Sequence, residues 1–335
     1  MLKRILLLFI IVSAIAEAAQ KPRVLKGYAQ GSTFQITYYG KPKKSIDQSI
    51  LDLLSQIDSS VSTYQANSII SKINAGQHGI KTDTIFRACF RKAKAIWISS
   101  NGAFDPTVMP LVNAWGFGQK KTSKPSKGYI DSLMPSIGFN LIDLNADTIV
   151  KHHPNVSLDF NAFAQGYSVD LVSNLLKQAG LKHFVVEIGG EVYAHGHKPK
   201  KEQWQLGIEQ PIDNPNGINP NLQSVYLQNQ AISSSGNYRK FFIQDGVKYA
   251  HHIDPKTGYP AQNNLLSVSV VASECITTDA SATALLVMGL EASKTYLNQH
   301  PELQAMLVYA NASGRLELYK TPGFYVLEDT KKASR

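Results

Sequence analysis

The sequence predicts an α+β protein, because helix-like and strand-like segments alternate irregularly along its 335 residues. Near the C-terminal end, two strand-like runs flank the short polar segment 311–314, which is the pattern of a hairpin. A regularly wound parallel sheet would instead require strands and helices in strict alternation. Segment 211–221 repeats Pro, Asn and Gly, which favours a long surface loop over a linker between independent domains.

Apolar residues at helical or strand spacing define the individual elements. Ser45 and Gln48 have the spacing of a capping box, which predicts a helix that starts there and presents the apolar stripe of 46–61. Asn101-Gly102 and Gly180 have the residue types that end helices. The predicted helices are about 46–61, 83–99 and 166–179, and the predicted strands are 31–39, 183–188, 265–272, 305–309 and 315–319.

The first eighteen residues have the composition of a secretory signal peptide. Lys3 and Arg4 precede the apolar run 5–15, and the small residues of 16–18 follow it. This predicts a signal peptide at 1–18, one domain at 19–335 and an exported, periplasmic protein. It would be soluble, or tethered to the membrane if the signal is not cleaved. No cysteine lies near the cleavage site to carry a lipid.

Composition excludes several classes of protein. With 43% hydrophobic and 18% charged residues, the chain can bury a core and is not disordered, and 2 Cys exclude a disulfide scaffold. Cys89 lies in an apolar helical pattern, which predicts a buried, inert thiol, and Cys275 closes a strand-like run. A disulfide between them stays open. The net charge of +9 has no dense basic run, so no nucleic-acid partner is expected, whereas anionic ligands or a membrane surface remain as partners.

One candidate site lies in segment 277–284, before a strongly apolar run. Thr277 or Thr278 is expected to cap a helix, and Asp279 and Thr283 would then share one face of its first turn. A carboxylate and a hydroxyl are oxygen ligands that suit Mg²⁺. The alternative is an ordinary acid at a helix start and a threonine bonded to its own helix.

A second candidate lies in segment 249–260. Its residues 254–258 form a predicted turn, which places His251 at the end of a strand, where the imidazole could accept a proton from a hydroxyl. His252 is expected to point to the opposite face, so that the two rings would not bind one metal ion. The alternative is a surface histidine beside a turn.

Three further segments have the composition of ligand-binding walls. In 158–170, the small residues Ala162, Ala164 and Gly166 allow either a ligand to approach the backbone or a helix to pack tightly. Segment 62–68 offers Tyr64 among polar groups. Segment 104–110 places Asp105 and Thr107 on one side of an extended chain. Any of the three could be a plain loop.

Taken together and in order, these segments resemble the ApbE-type FAD:protein FMN transferases over about 30–318. The motifs that carry the resemblance are Gly31-Ser32-Thr33, Ser62-Thr63-Tyr64 with Ser68, Ser71 and Asn74, Phe104-Asp105-Pro106-Thr107, Leu158-Asp159 with Gly166-Tyr167, Ile188-Gly189-Gly190, Ser234-Ser235-Gly236-Asn237-Tyr238, His251 with Asp254-Pro255, and Asp279 with Thr283. The resemblance implies a two-lobed α+β fold with mixed sheets and packed helices, and an active site in the cleft between the lobes.

The resemblance also implies an activity. Such an enzyme cleaves the pyrophosphate of FAD with Mg²⁺, attaches FMN to a Thr or Ser hydroxyl of a partner protein and releases AMP. The partner would be a redox-pump subunit or an FMN-binding domain. Two alternatives stay open: an FAD pyrophosphatase, which gives FMN and AMP, and a flavin-binding protein without catalysis.

The same resemblance assigns roles to residues. Asp279, Thr283 and the backbone carbonyl of Ala162 would hold the metal ion, and His251 would take the proton from the acceptor hydroxyl. The positions that match the FAD pocket are Gln30, Tyr64, Asp105, Pro106, Thr107, Gln165 and Ile253.

Overall fold

The structure is a computed structural model that describes residues 21–118, 124–214 and 219–324. The predicted signal peptide at 1–18 lies outside the described residues. Within them, no helix combines the length and the apolar character that a membrane crossing requires.

Helices and strands make up most of the described chain. The helices are α1 (Asp47–Val61), α2 (Ile69–Asn74), α3 (Thr84–Ser99), α4 (Met109–Ala114), α5 (Lys127–Leu133), α6 (Ala164–Gln178), α7 (Cys275–Met288) and α8 (Leu290–Gln299), with short 3₁₀ turns at Met134–Ser136, Phe139–Leu141 and Pro199–Lys201. The strands are β1 (Arg23–Ala29), β2 (Ser32–Tyr39), β3 (Ile142–Asn145), β4 (Thr148–Lys151), β5 (His183–Ile188), β6 (Glu191–His195), β7 (Trp204–Glu209), β8 (Asn221–Leu227), β9 (Gln230–Gly236), β10 (Phe241–Gln244), β11 (Val247–Ala250), β12 (Leu265–Ala272), β13 (Gln304–Ala310) and β14 (Leu316–Lys320).

An eight-stranded sheet organises the molecule, in the order β1-β2-β5-β6-β9-β12-β13-β14, and each of its pairings is antiparallel. Three two-stranded sheets, β3-β4, β7-β8 and β10-β11, complete the strands of the described residues. Gly189 and Gly190 join β5 to β6 with φ of 67° and 104°, a left-handed backbone that glycine adopts without a steric cost. The expected α+β class is confirmed.

The sheet has helices on one face. Helices α1, α2, α3 and α6 bury an apolar core against β2 and β5, whereas α7 and α8 cover β12 and β13. On the opposite face, β7 and β8 pack on side chains of β6, β9 and β12. Helix α7 contacts both α6 and the strands β9 and β12, and its apolar residues contribute to both of the cores beneath the helices.

A smaller core fixes the segment that precedes His251. Trp115 is fully buried against Tyr249 and Ile253, and its indole nitrogen donates to the carbonyl of Gly258 at 2.9 Å. The turn at 254–258 is as predicted, because Gly258 N donates to the carbonyl of Asp254 at 2.9 Å. The β10–β11 hairpin is therefore held against α4 and α5.

The predicted starts of α1 and α7 are wrong, whereas the predicted start of α3 is confirmed. Helix α1 begins at Asp47 with Ile46 as its N-cap, and Gln48 donates to Asp52 instead of closing a box with Ser45. The cap of α3 is Asp83, which accepts from Phe86 N at 2.7 Å. Helix α7 begins at Cys275, which the sequence had placed at the end of a strand.

Both cysteine thiols are free and buried. Burial raises the pKa of Cys89 and of Cys275 above the usual thiol range, which keeps both protonated and unreactive near neutral pH. This agrees with the prediction of an inert thiol at Cys89.

Candidate active site

The start of α7 positions the candidate metal ligands. The Asp170 carboxylate, which comes from α6, accepts from the backbone N–H groups of Cys275 and Ile276, both at 2.8 Å. An acid at a helix N-terminus stabilises it through these bonds and through the helix dipole. Thr278 does not cap the helix, because it is buried and its hydroxyl lies 2.8 Å from that of Ser233.

Because α7 starts before the predicted caps, Asp279 lies in its second turn and not in its first. Asp279 and Thr283 remain four residues apart and share one face. The Thr283 hydroxyl lies 3.3 Å from that of Ser235 on β9. The Asp279 Oδ2 accepts from Gly166 N at 3.0 Å, which fixes the carboxylate at the contact between α6 and α7.

Gly166 makes this contact sterically feasible. A Cβ at position 166 would lie 2.5 Å from the Cys275 carbonyl oxygen and 2.8 Å from Asp279 Cβ. The first of these atoms belongs to the backbone and cannot move aside. Of the two alternatives for the small residues, tight helix packing therefore holds for Gly166.

We expect Gly166→Ala to lower the free energy of unfolding by about 1–3 kcal/mol, because it overpacks the α6–α7 contact. Urea denaturation followed by circular dichroism measures this effect. Gly128→Ala is the matched control, since a Cβ at the exposed Gly128 of α5 would meet no atom within 4 Å and alanine favours a helix. Equal stability of the two variants would contradict the steric account.

Asp279 is a buried acid without a cationic partner among the described residues. Burial raises its pKa to about 8, although the bond from Gly166 N opposes the rise. A carboxylate in such surroundings is stabilised by a cation, and together with a hydroxyl and a carbonyl it forms the all-oxygen set that Mg²⁺ prefers. The donor set of Asp279, Thr283 and the Ala162 carbonyl therefore suits a divalent cation.

His251 follows β11 directly, where the hairpin ends. Its Nδ1 lies 3.2 Å from the carbonyl oxygen of Lys240. Because a carbonyl only accepts, Nδ1 carries the proton in the neutral ring and Nε2 is left with a free lone pair. Burial, followed by the charge of Lys240, lowers the pKa of His251 to about 4, so the ring is neutral at pH 7.

The expectation that His252 points away from His251 is wrong. The two ring centroids are 3.9 Å apart, because the strand ends at Ala250 and the alternation of side chains ends with it. His252 is buried and its pKa is lowered well below the usual value by burial.

Asp105 and Thr107 meet as predicted, but they hold a loop together. Asp105 Oδ1 accepts from the backbone N–H and the hydroxyl of Thr107, at 2.8 and 2.6 Å. Its Oδ2 accepts from Phe139 N at 3.1 Å, and the Thr107 hydroxyl accepts from Gly138 N at 2.7 Å. These bonds consume most of the hydrogen-bonding capacity of both side chains.

The predicted residues converge on one large cavity of about 890 Å³. That volume lies within the range of roughly 300–1,000 Å³ that is typical of ligand sites. Its walls include residues of helices α4, α6 and α7 and of strands β7, β9 and β12. Nine of the predicted residues line it: Tyr64, Asp105, Pro106, Ala162, Gln165, His251, Ile253, Asp279 and Thr283.

Two predicted residues, Gln30 and Thr107, are not part of the cavity wall. Thr107 is fully buried beneath it. The Gln30 side-chain amide donates to the Ser168 hydroxyl at 2.6 Å, and the backbone carbonyl of Gln30 accepts from the side chain of Gln165 at 3.4 Å. Gln30 therefore contacts a wall residue, and its role in binding stays a prediction.

Several charged wall residues were not singled out from the sequence. Arg239 forms an ion pair with Glu209, and Lys240 is exposed at the wall. Glu191 is the most unusual, because it is buried and its Oε2 has no hydrogen-bond partner. Burial and the nearby charge of Asp279 raise its pKa well above the usual range. The sequence feature that could have identified Glu191 is its position as an acid at the start of a strand, directly after Ile188-Gly189-Gly190.

A sequence model of the ApbE family matches residues 30–307, which is most of the chain. The chain belongs to the ApbE family. It is 33% identical over 279 residues to the FAD:protein FMN transferase of Vibrio cholerae, covering 80% of this chain and 81% of that protein. It is also 33% identical over 280 residues to the Haemophilus influenzae protein of the same name, covering 79% and 80%.

Solved structures of ApbE proteins have the same fold. The flavin transferase ApbE from Vibrio cholerae superposes with a TM-score of 0.82 at 29% identity, covering 91% of this chain and 98% of that one. The apo form of the Pseudomonas stutzeri flavinyl transferase ApbE gives a TM-score of 0.81 at 30% identity, covering 90% and 95%. The two-lobed fold that the resemblance implied is therefore confirmed.

Proposed function

We propose that this chain is an FAD:protein FMN transferase that uses Mg²⁺. It transfers FMN from FAD to a Thr or Ser hydroxyl of a partner protein and releases AMP. The observation that supports this most strongly is the convergence of Asp279, Thr283 and His251 on one cavity. Relatives that carry this name match the chain over about four-fifths of both lengths.

In the proposed reaction, the acceptor hydroxyl oxygen attacks the phosphorus of the FMN half. The bond from that phosphorus to the oxygen of the AMP half breaks, and the hydroxyl proton passes to His251 Nε2. Phosphoryl transfer depends chiefly on in-line positioning and on neutralisation of charge. Mg²⁺, when bound, supplies that neutralisation on the diphosphate.

The chain's own residues would position the reactants. Asp279, Thr283 and the Ala162 carbonyl would hold the cation at the end of the cavity formed by α6 and α7. Tyr64 has 68% of its surface exposed and offers a flat face for an aromatic ring at the wall. The bond from His251 Nδ1 to the Lys240 carbonyl would keep Nε2 free for the proton.

Incubation with FAD and Mg²⁺, with and without an acceptor domain, tests the proposal. Mass spectrometry should find a covalent FMN adduct on the acceptor, with one AMP released for each adduct, and EDTA should abolish both. Free FMN formed equally fast in both mixtures would indicate an FAD pyrophosphatase instead. Tight FAD binding without AMP release would indicate a binding protein.

A second test concerns the protonation of His251. Because burial lowers its pKa in the folded protein, the ring should stay neutral while the pH falls from 7 to about 5 and take up its proton near pH 4. Titration of its Cε1–H signal by NMR, assigned by its loss in His251→Ala, measures this directly. A midpoint at or above 6.5 would contradict the assignment of His251 as a half-buried, neutral base.

The predicted signal peptide also supports a proposal about where in the cell the protein acts. The protein would act in the periplasm on exported acceptors, either free or tethered by an uncleaved signal. Fractionation of cells that express the chain with and without residues 1–18 tests this, because only the full chain should reach the periplasm.

A further inference from the structure

The geometry points to Glu191 as a further ligand, direct or through one water molecule, of the divalent cation assigned to Asp279 and Thr283. This inference deepens the proposed function and rests on it. The cation would then be held by side chains from both helix α7 and strand β6.

The register of the sheet determines where Glu191 points. Glu191 lies directly opposite Ile188 in the β5–β6 ladder, and Ile188 is buried in the core beneath the helices. Opposed residues on antiparallel strands point to the same face. The next residue, Val192, packs on the other face against β7 and β8. Glu191 therefore faces the helix layer, where α7 presents Asp279.

The two acids belong to the wall of the same cavity. Glu191 and Asp279 line it together with Thr283 and Ala162. Only 8% of the Glu191 surface and 7% of the Asp279 surface are exposed. Water can therefore solvate neither acid well, and burying two unpaired negative charges is costly.

The two acids differ in how their oxygens are satisfied. Asp279 Oδ2 accepts from Gly166 N, whereas Glu191 Oε2 is buried and has no hydrogen-bond partner. In the part of the chain that the structure describes, no lysine, arginine or histidine forms an ion pair with either acid. A buried carboxylate oxygen without a partner, on a residue that lines a cavity together with another acid, is the arrangement that a hard divalent cation satisfies.

Glu187, on the same hairpin, provides a matched control. It lies opposite Val192, and so on the face of the sheet away from α7. Its Oε1 accepts from Gly190 N at 2.8 Å, a bond that a glutamine oxygen preserves. Glu187→Gln therefore removes one nearby negative charge without touching the proposed ligand set.

The test titrates the purified protein with Mn²⁺ alone and follows free Mn²⁺ by electron paramagnetic resonance. We expect Glu191→Gln to weaken Mn²⁺ binding by about tenfold or more, and Glu187→Gln to change it less than about twofold. Without metal, Glu191→Gln should raise the melting temperature, because it removes one of two buried acids. Saturating Mg²⁺ should raise the melting temperature of Glu191→Gln by less than it raises that of the wild type.

The outcomes separate this inference from the proposed function. If Asp279→Asn abolishes Mn²⁺ binding and Glu191→Gln leaves it unchanged, Glu191 is no ligand and the proposed function stands. If neither substitution affects binding, or the wild type binds no Mn²⁺, the cation site itself is wrongly placed and both proposals fail. If Glu187→Gln weakens Mn²⁺ binding as much as Glu191→Gln does, the loss of any nearby negative charge explains the effect. That result would overturn the assignment of Glu191 as a ligand.

Discussion

Replacing Asp279 by asparagine is expected to slow FMN transfer by at least about 100-fold at a fixed, moderate Mg²⁺ concentration, in the range found when one charge-stabilising group is lost. The amide keeps the shape of the side chain, and its oxygen can still accept from Gly166 N. It lacks the negative charge that would hold the cation. Fluorescence of flavin-labelled acceptor on a denaturing gel measures the rate.

The control for this substitution is Asp52→Asn on α1, because Asp52 is exposed and lies outside the cavity wall. Its activity should equal that of the wild type. Asp279→Asn should also stabilise the metal-free protein, since a buried acid without a cationic partner is replaced by a neutral group. A variant that transfers FMN at the normal rate would show that the metal ion is bound elsewhere.

Replacing His251 by alanine is expected to slow transfer by about 10²- to 10⁴-fold, which is the usual contribution of a general base. FAD binding should change little, because the imidazole is assigned to the acceptor hydroxyl and not to the flavin. Stopped-flow fluorescence of FAD gives the binding constant, and AMP release gives the rate. A slower rate with unchanged FAD binding indicates the loss of a proton acceptor, whereas weaker FAD binding indicates a damaged pocket.

His152→Ala serves as the comparison, since His152 is an exposed histidine that pairs with Asp143 at 2.9 Å. It should transfer FMN at the wild-type rate. If His251→Ala lowers FAD affinity as strongly as the rate, the ring belongs to the binding wall. If it changes neither, His251 has no part in the mechanism.

Much of the fold follows from local pattern. Strands β5 and β12 have the predicted bounds, 183–188 and 265–272, because each is an apolar run ended by glycine or polar residues. Helix α3 begins where Asp83 caps it and ends before Asn101-Gly102, whose φ values are both positive. These signals lie within a few residues of the element that they define, so sequence alone carries them.

The start of α7 could not be predicted in the same way. Its capping acid, Asp170, precedes Cys275 by 105 residues along the chain. The nearby threonines offered a local cap, but Thr278 is buried against Ser233 instead. Because the capping carboxylate belongs to another helix, the sequence around the start of α7 contains no pattern that indicates this cap.

Local spacing by itself determined elements such as α3, β5 and β12, and it determined that Asp279 and Thr283 share a helix face, since both depend on dihedral preferences and on side chains a few residues apart. The resemblance of ordered motifs added the family. Only the tertiary structure decided that His251 reaches the same cavity and that Thr107 supports a loop beneath it. It also decided that Glu191 lies buried beside Asp279. Those relations depend on the register of the sheet and on the close contact of α6 with α7, which residues distant in the sequence create together.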